Sequence, residues 1–229
     1  IFTALVGIYI GMTLLSESLD LTVIGWLLKY VSVFLAIALV IIFQPELRRA
    51  LAELGSHRFF STMNEGTRAR FAESLIEIVE TLSGRRVGAL IAIERGIDLK
   101  QYADTGTQMD SELTPALIYT IFHSGTTLHD GGLIVRMADE RISGAGCLFP
   151  VIQIELKDPG IGLRHRAAMG ITEESDAIAL VVSEETGSIS IAINGKLERN
   201  LPESELRERL NELLRNQEAE EEEGEAEDV

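Results

Sequence analysis

One stretch constrains this chain more than any other: the 21 residues from Val23 to Phe43 carry a single charge, Lys29. As an α-helix it would be about 30 Å long, at a rise of ~1.5 Å per residue, which matches the hydrocarbon thickness of a bilayer. Trp26, Lys29 and Tyr30 gather at one end, where an interfacial anchor belongs, and Lys29 is long enough to snorkel. The alternative is a buried core helix, but the run from Val31 to Phe43 has no polar face to turn toward water. The chain is therefore expected to contain a membrane span here. A shorter apolar stretch, residues 1–16, is uncharged until Glu17 and begins at Ile1 rather than at a methionine. It reads as the remainder of a second transmembrane helix, because a signal peptide would need a basic leader and a small-residue cleavage site. Arg48 and Arg49 follow the span, so the positive-inside bias puts everything downstream in the cytoplasm.

These features divide the chain into a transmembrane region over 1–43, a juxtamembrane linker over 44–66, a folded domain over 67–216 and an acidic tail over 217–229. The tail holds eight Asp or Glu between 218 and 228, half of the formal net charge of −16, and is expected to stay disordered. With 36 acidic against 20 basic side chains, the chain would repel a nucleic-acid backbone, so nucleic-acid binding is excluded as the default function. A single cysteine, Cys147, allows neither an internal disulfide nor a thiolate metal cluster.

Within the domain, Phe71, Leu75, Ile78, Val79 and Leu82 recur at helical spacing over Thr67 to Ser83, with Gly84 as the expected stop. Val87 to Ile93 is a continuous apolar run of strand length. Asp110 is expected to cap a helix that turns Leu113, Leu117, Ile118 and Ile121 inward. Gly132 to Met137 and Arg141 to Leu148 flank Asp139-Glu140 as one hairpin, and Ala177 to Ser183 and Ser188 to Ile193 flank Thr186-Gly187 as another. Asn194-Gly195 reads as a turn, and Glu203 to Leu214 as a closing helix. The predicted fold is α/β, a mixed β-sheet flanked by helices, without internal repeats.

Three polar clusters interrupt this pattern: His129-Asp130-Gly131-Gly132, Arg164-His165-Arg166 and Ser183-Glu184-Glu185-Thr186-Gly187. Each alone has a plain structural reading as a turn or a solvated helix end. Two arginines in the first turn of a helix, however, oppose the positive end of its dipole, a conflict that an anion would resolve. Together the clusters supply a carboxylate able to hold a metal or accept a proton, glycines that permit close approach, and cations for phosphate, which is the equipment of phosphoryl or nucleotidyl transfer. No P-loop or dinucleotide glycine motif occurs anywhere in the sequence. His57 and His123 have no partner at interpretable spacing and read as structural or solvated, and Cys147 reads as packing.

In order and spacing, His129-Asp130-Gly131-Gly132 resembles the Asp-Gly-Ala motif of the diadenylate cyclase domain, and Gly162-Leu163-Arg164-His165-Arg166-Ala167-Ala168 resembles its Gly-Thr-Arg-His-Arg-Ala-Ala motif. Ile93-Glu94-Arg95, Thr105-Gly106 and Val182 to Gly187 extend the similarity over about residues 67–200. The apolar segments followed by Phe43-Gln44-Pro45-Glu46-Leu47-Arg48-Arg49 are similar to the membrane-anchored CdaA type, which has three transmembrane helices. The resemblance implies condensation of two ATP molecules to cyclic di-AMP and two pyrophosphates, with Mg²⁺ or Mn²⁺ as metal. Asp130 would activate the ribose 3′-hydroxyl. Gly131, Gly132, Leu148 and Phe149 would line the nucleotide, and Leu163, Arg164, His165, Arg166 and Ser183 would surround its phosphates. Glu185, with His129 and Asp130, would bind the metal. A product with two equivalent phosphodiester bonds requires two sites facing each other, hence a homodimer. Gly132 stands where the motif has Ala, a mild change. Leu163 replaces a Thr hydroxyl beside the phosphates, which is more serious. The alternative reading is therefore a weakly active or inactive membrane-tethered protein that binds ATP or a cyclic dinucleotide, and a more distant one is a protein-interaction module.

Overall fold

A computed structural model describes residues 22–44, 65–153 and 161–215. The expectations for the first apolar segment, for most of the linker with Arg48, Arg49 and His57, and for the acidic tail fall outside these residues. The chain divides into two units, one over residues 1–51 and one over 52–229.

In the first unit, α1 (Thr22–Ile42) is a single 21-residue helix with Val23, Trp26, Phe34, Leu35 and Ile41 exposed. Trp26 and Tyr30, one turn apart, meet with ring centroids 4.4 Å apart and planes inclined at 58°. Taken over the described residues alone, no helix is long and apolar enough to cross a membrane. The side chains at 22, 24, 28 and 42 lie outside that description.

The second unit is built on a seven-stranded sheet in the order β2-β4-β3-β1-β5-β6-β7. The strands are β1 (Ala89–Glu94), β2 (Thr107–Glu112), β3 (Gly132–Arg136), β4 (Arg141–Cys147), β5 (Ile178–Val182), β6 (Ile189–Ile193) and β7 (Lys196–Glu198). The β1–β3 pair is parallel, with Ile91 opposite Leu133, and the other pairs are antiparallel. Around the sheet lie α2 (Glu65–Gly84), α3 (Lys100–Ala103), α4 (Pro115–Phe122), α5 (Leu163–Glu174) and α6 (Glu203–Arg215).

Strand periodicity explains the layering. Successive side chains of β1 point to opposite faces, so Ala89, Ile91 and Ile93 enter one core while Leu90 and Ala92 enter another. The first core takes Phe71, Leu75, Ile78 and Leu82 from α2, Ile118 and Ile121 from α4, and Leu206 and Leu210 from α6. Small residues dominate the second, where Ala92, Ala179 and Ala192 of the sheet meet Ala168 and Ile171 of α5. With both faces covered, central strands read as unbroken apolar runs rather than alternating ones.

Two local expectations are corrected. Asp110 caps no helix: it lies in β2 and accepts hydrogen bonds from Arg141 Nε at 2.7 Å and Arg136 Nη2 at 3.1 Å. The cap of α4 is Thr114, whose hydroxyl accepts from the Leu117 amide, with Pro115 in the first turn. Helix α2 does end at Gly84, but Gly84 is its last helical residue and not the left-handed residue that closes it. The Val87 amide donates to the Leu82 carbonyl and the Arg86 amide to that of Ser83, both at 2.9 Å. That is the paired C-terminal closure in which the left-handed residue is Arg86, at φ 51°.

Candidate active site

The N-terminal ends of parallel β1 and β3 and the C-terminal end of antiparallel β5 lie on the same side of the sheet. A cavity of about 820 Å³ opens there, and the first turn of α5 forms part of its wall. All three polar clusters reach it: His129 and Asp130 before β3, Leu163, Arg164 and His165 on α5, and Ser183, Glu184 and Glu185 after β5. Residues more than thirty positions apart are brought together because β3 and β5 flank β1 in one sheet.

Helix α5 starts at Gly162 without a side-chain cap. Its first-turn amides are therefore donors that no capping side chain satisfies, beside the cavity. Arg164 spans the wall: Nη1 donates to Glu184 Oε2 at 2.7 Å and Nη2 to the His129 carbonyl at 3.2 Å. Its buried Nε has no hydrogen-bond partner. Gly88 makes room for this pair, since a Cβ there would lie 2.8 Å from Arg164 Nη1 and 2.9 Å from Glu184 Oε2. His165 is 5% exposed. Burial, and secondarily the charge of Arg199, pushes its pKa below the ordinary histidine value, so at neutral pH it is an uncharged ring. His129 Nδ1 lies 2.5 Å from the Thr126 carbonyl. A carbonyl only accepts, so Nδ1 carries the hydrogen and Nε2 is the ring nitrogen left to face a ligand.

Other expected site residues are not among those that line the cavity. Gly131, at φ 140°, lies so close to Gly146 that a Cβ would come within 2.6 Å of its carbonyl carbon. Gly132 faces Phe149. The Leu148 amide donates to Thr105 Oγ1 at 2.9 Å, fixing the turn that carries Leu148, 67% exposed, and Phe149, whose ring meets Tyr102 edge-on at 6.1 Å. Arg166 turns away, its Nε donating to the Ile152 carbonyl at 3.0 Å. The Ile93-Glu94-Arg95 segment also serves as scaffold: Glu94 accepts from the Leu99 amide and Arg95 donates to the Asp176 carbonyl.

Sequence reasoning missed part of the wall. Arg85, Arg86, Gly88, Tyr119, His123 and Ser124 line the same cavity. The Arg85 guanidinium carbon sits 4.5 Å above the Tyr119 ring, and that ring is 5.5 Å from His123. Arg85 and Arg86 directly follow the amphipathic helix α2, and a basic pair just past a helix end is a signal that could have drawn attention to them.

A family model described as DisA bacterial checkpoint controller nucleotide-binding, the DAC domain, matches residues 76–197. The chain belongs to the diadenylate cyclase family. It is 39% identical over 198 residues to the cyclic di-AMP synthase CdaA of Bacillus subtilis, covering 85% of this chain and 72% of that protein. It is 36% identical over 202 residues to the diadenylate cyclase of Listeria monocytogenes, covering 87% and 73%. A crystal structure of a double mutant of DacA from Staphylococcus aureus superposes with a TM-score of 0.60 at 36% identity, over 64% of this chain and 96% of that one. A Bacillus cereus protein described as a hypothetical membrane spanning protein matches with a TM-score of 0.54 at 30% identity, over 85% and 98%. The mixed sheet flanked by helices is thus the diadenylate cyclase fold, and the chain is an enzyme of that family.

Proposed function

We propose that this chain condenses two ATP molecules into cyclic di-AMP, with two copies facing each other so that each presents one ATP. The observation that carries this reading is the convergence of Asp130, Arg164, Ser183 and Glu185 on one cavity beside the uncapped start of α5. In each half-reaction a ribose 3′-oxygen attacks the α-phosphorus of the opposing nucleotide. A new P–O bond forms, the bond to the β-phosphate oxygen breaks, and pyrophosphate leaves with that electron pair. Asp130 takes the hydroxyl proton. The α5 amides and Arg164 hold phosphate oxygens, and Ser183 donates to the triphosphate. Leu148, Phe149, Gly131 and Gly132 shape the nucleotide's surroundings, and the buried neutral His165 packs the first turn of α5.

The donor chemistry of His129 Nε2, Asp130 and Glu185 suits a divalent cation such as Mg²⁺ or Mn²⁺. Among the described residues no three such groups already form a ligand set, so a cation held here would need phosphate oxygens of the nucleotide to complete its shell. Bound there, the cation would lower the charge repulsion at phosphorus. We further propose that α1 anchors the enzyme in the cell membrane, as one of several spans, with the catalytic domain cytoplasmic. The support is a 21-residue helix whose only charge is Lys29 and the basic pair that follows it in sequence.

Chromatography of the full chain incubated with ATP and Mn²⁺ tests the proposal. Cyclic di-AMP and pyrophosphate in a 1:2 ratio are the expected products. Retained ATP without product would instead support the nucleotide-binding regulatory reading, and neither would leave only an interaction module.

A further inference from the structure

Of the Arg-His-Arg cluster, Arg164 alone offers charge to the cavity. His165 is neutral, Arg166 is turned to the Ile152 carbonyl, and Arg164 is itself shared with Glu184. Counting the lining side chains, Arg85, Arg86 and Arg164 face Asp130, Glu184 and Glu185, three cations against three anions. Without Arg85 and Arg86 the wall would hold one cation against three, a poor receptor for a polyphosphate.

Arg85 and Arg86 share with Arg70 and Arg166 the lack of a carboxylate partner, but unlike those two they line the cavity. Arg136, Arg141, Arg207 and Arg209 each meet a carboxylate. The Arg85 and Arg86 guanidinium groups meet none among the described residues, although the chain's net charge is −16. The Arg85 guanidinium carbon lies 4.5 Å from the centre of the Tyr119 ring, a cation–π contact that uses none of its N–H donors. Arg86 occupies the left-handed closing position of α2 at φ 51°, where glycine would be unstrained. Its stem runs along the Ser183 to Gly187 turn: a Cβ at Gly187 would lie 3.5 Å from Arg86 Cγ. That turn is fixed to the same helix end, because Ser83 Oγ donates to the Gly187 carbonyl at 2.6 Å. The closure of α2 therefore holds two uncompensated guanidinium groups beside the turn that carries Ser183 and Glu185.

We propose that Arg85 and Arg86 form the polyphosphate subsite of the cavity, binding the β- and γ-phosphates of the nucleotide and then the pyrophosphate that leaves. This rests on the cyclase reading for the identity of the ligand. It specifies where the leaving group is held, opposite the α5 amides. The subsite recognises a diphosphate rather than a base or ribose, so a nucleoside monophosphate would gain nothing from it.

The test is titration calorimetry of the full chain with ATP, AMP and inorganic pyrophosphate. It compares the parent with Arg85→Gln, Arg86→Gly and their double variant, and uses Arg70→Gln, on the exposed face of α2, as a charge control. Each single variant is expected to weaken ATP and pyrophosphate binding about tenfold and the double variant more, with AMP and the control changed less than about twofold, as for loss of charge-assisted contacts. Arg86→Gly relieves a strained backbone position, so an unchanged or higher melting temperature separates ligand loss from unfolding. Pyrophosphate affinity in the double variant within about twofold of the parent, or an equal fall for AMP and ATP, overturns the proposal. The cyclase reading fails separately, through a parent that yields no cyclic product. Pyrophosphate binding that depends on Arg85 and Arg86 would still support the subsite in that case.

Discussion

Arg164 and Glu184 are joined by a 2.7 Å ion pair that lies against the backbone of Gly88, where even a methyl group would come within 3 Å of both partners. Arg164 is thus held between the end of β5 and the start of β1. Gly88→Ala should displace the pair while leaving the strand intact. Turnover is expected to fall about tenfold, with a stability loss of roughly 1–2 kcal/mol, the scale of overpacking at one methyl. Steady-state rates and thermal melts, measured together, check this.

Asp130→Asn keeps size and hydrogen bonding but removes the negative charge. Cyclic di-AMP formation should drop by about 10²-fold or more, the scale of a positioned base, while ATP binding is largely retained. Product formation near the parental rate would remove Asp130 from the catalytic role. In mixtures of Asp130→Asn with the parent chain, hybrid dimers should fail to close the second bond, and specific activity should rise with enzyme concentration in the dilute range.

Gly132 leaves the space that Phe149 fills, since a Cβ at 132 would lie 2.1 Å from Phe149 Cε2. The alanine that the motif otherwise carries is therefore not neutral in this chain. Gly132→Ala is expected to destabilise by about 1–3 kcal/mol, and trimming the ring with Phe149→Leu should recover part of that. A double-mutant cycle on unfolding free energies gives the coupling; additive effects would show that the two sites are independent.

Leu163 is 70% exposed on the cavity wall, so its side chain is little used in packing. Leu163→Thr should cost less than about 1 kcal/mol in stability. The restored hydroxyl should raise turnover by roughly tenfold to a hundredfold if it bonds a charged phosphate oxygen in the transition state. An unchanged rate in an equally stable variant would show that the α5 amides already satisfy that oxygen.

His165 is held neutral in the fold, because burial first and the Arg199 charge second lower its pKa. The unfolded chain binds this proton more readily, so protonation favours unfolding. His165 therefore imposes no penalty above about pH 6.5, the unfolded value, and stability declines as pH falls below that toward the depressed folded pKa. His165→Gln should flatten this part of the stability–pH curve relative to the parent. Denaturant midpoints between about pH 5 and pH 8 provide the comparison.

Much of the framework follows from local periodicity. Helices α2 and α6 carry apolar residues at helical spacing, and β1 and β5 are apolar runs of strand length, with β6 interrupted only by Ser190. The Asp139-Glu140 and Thr186-Gly187 hairpins form as the turn residues require, and Asn194 and Gly195 both take positive φ. The three polar clusters were legible because each breaks an apolar pattern, and they converge on one cavity. Strand β2 was not legible. Thr107 to Glu112 is a polar edge strand whose place is set by pairing with β4 and by the Asp110 bridges to Arg136 and Arg141, and none of these is local in sequence. The same holds for Gly88, Arg85, Arg86 and His123, which acquire their roles only when the ends of α2 and α4 are brought to β5. It holds also for Arg166, which the motif grouped with Arg164 but which the helix directs elsewhere. Periodicity reports which face of an element is buried. Which side chains share a cavity depends on strand order and on close backbone approach, and those are settled only when the sheet is assembled.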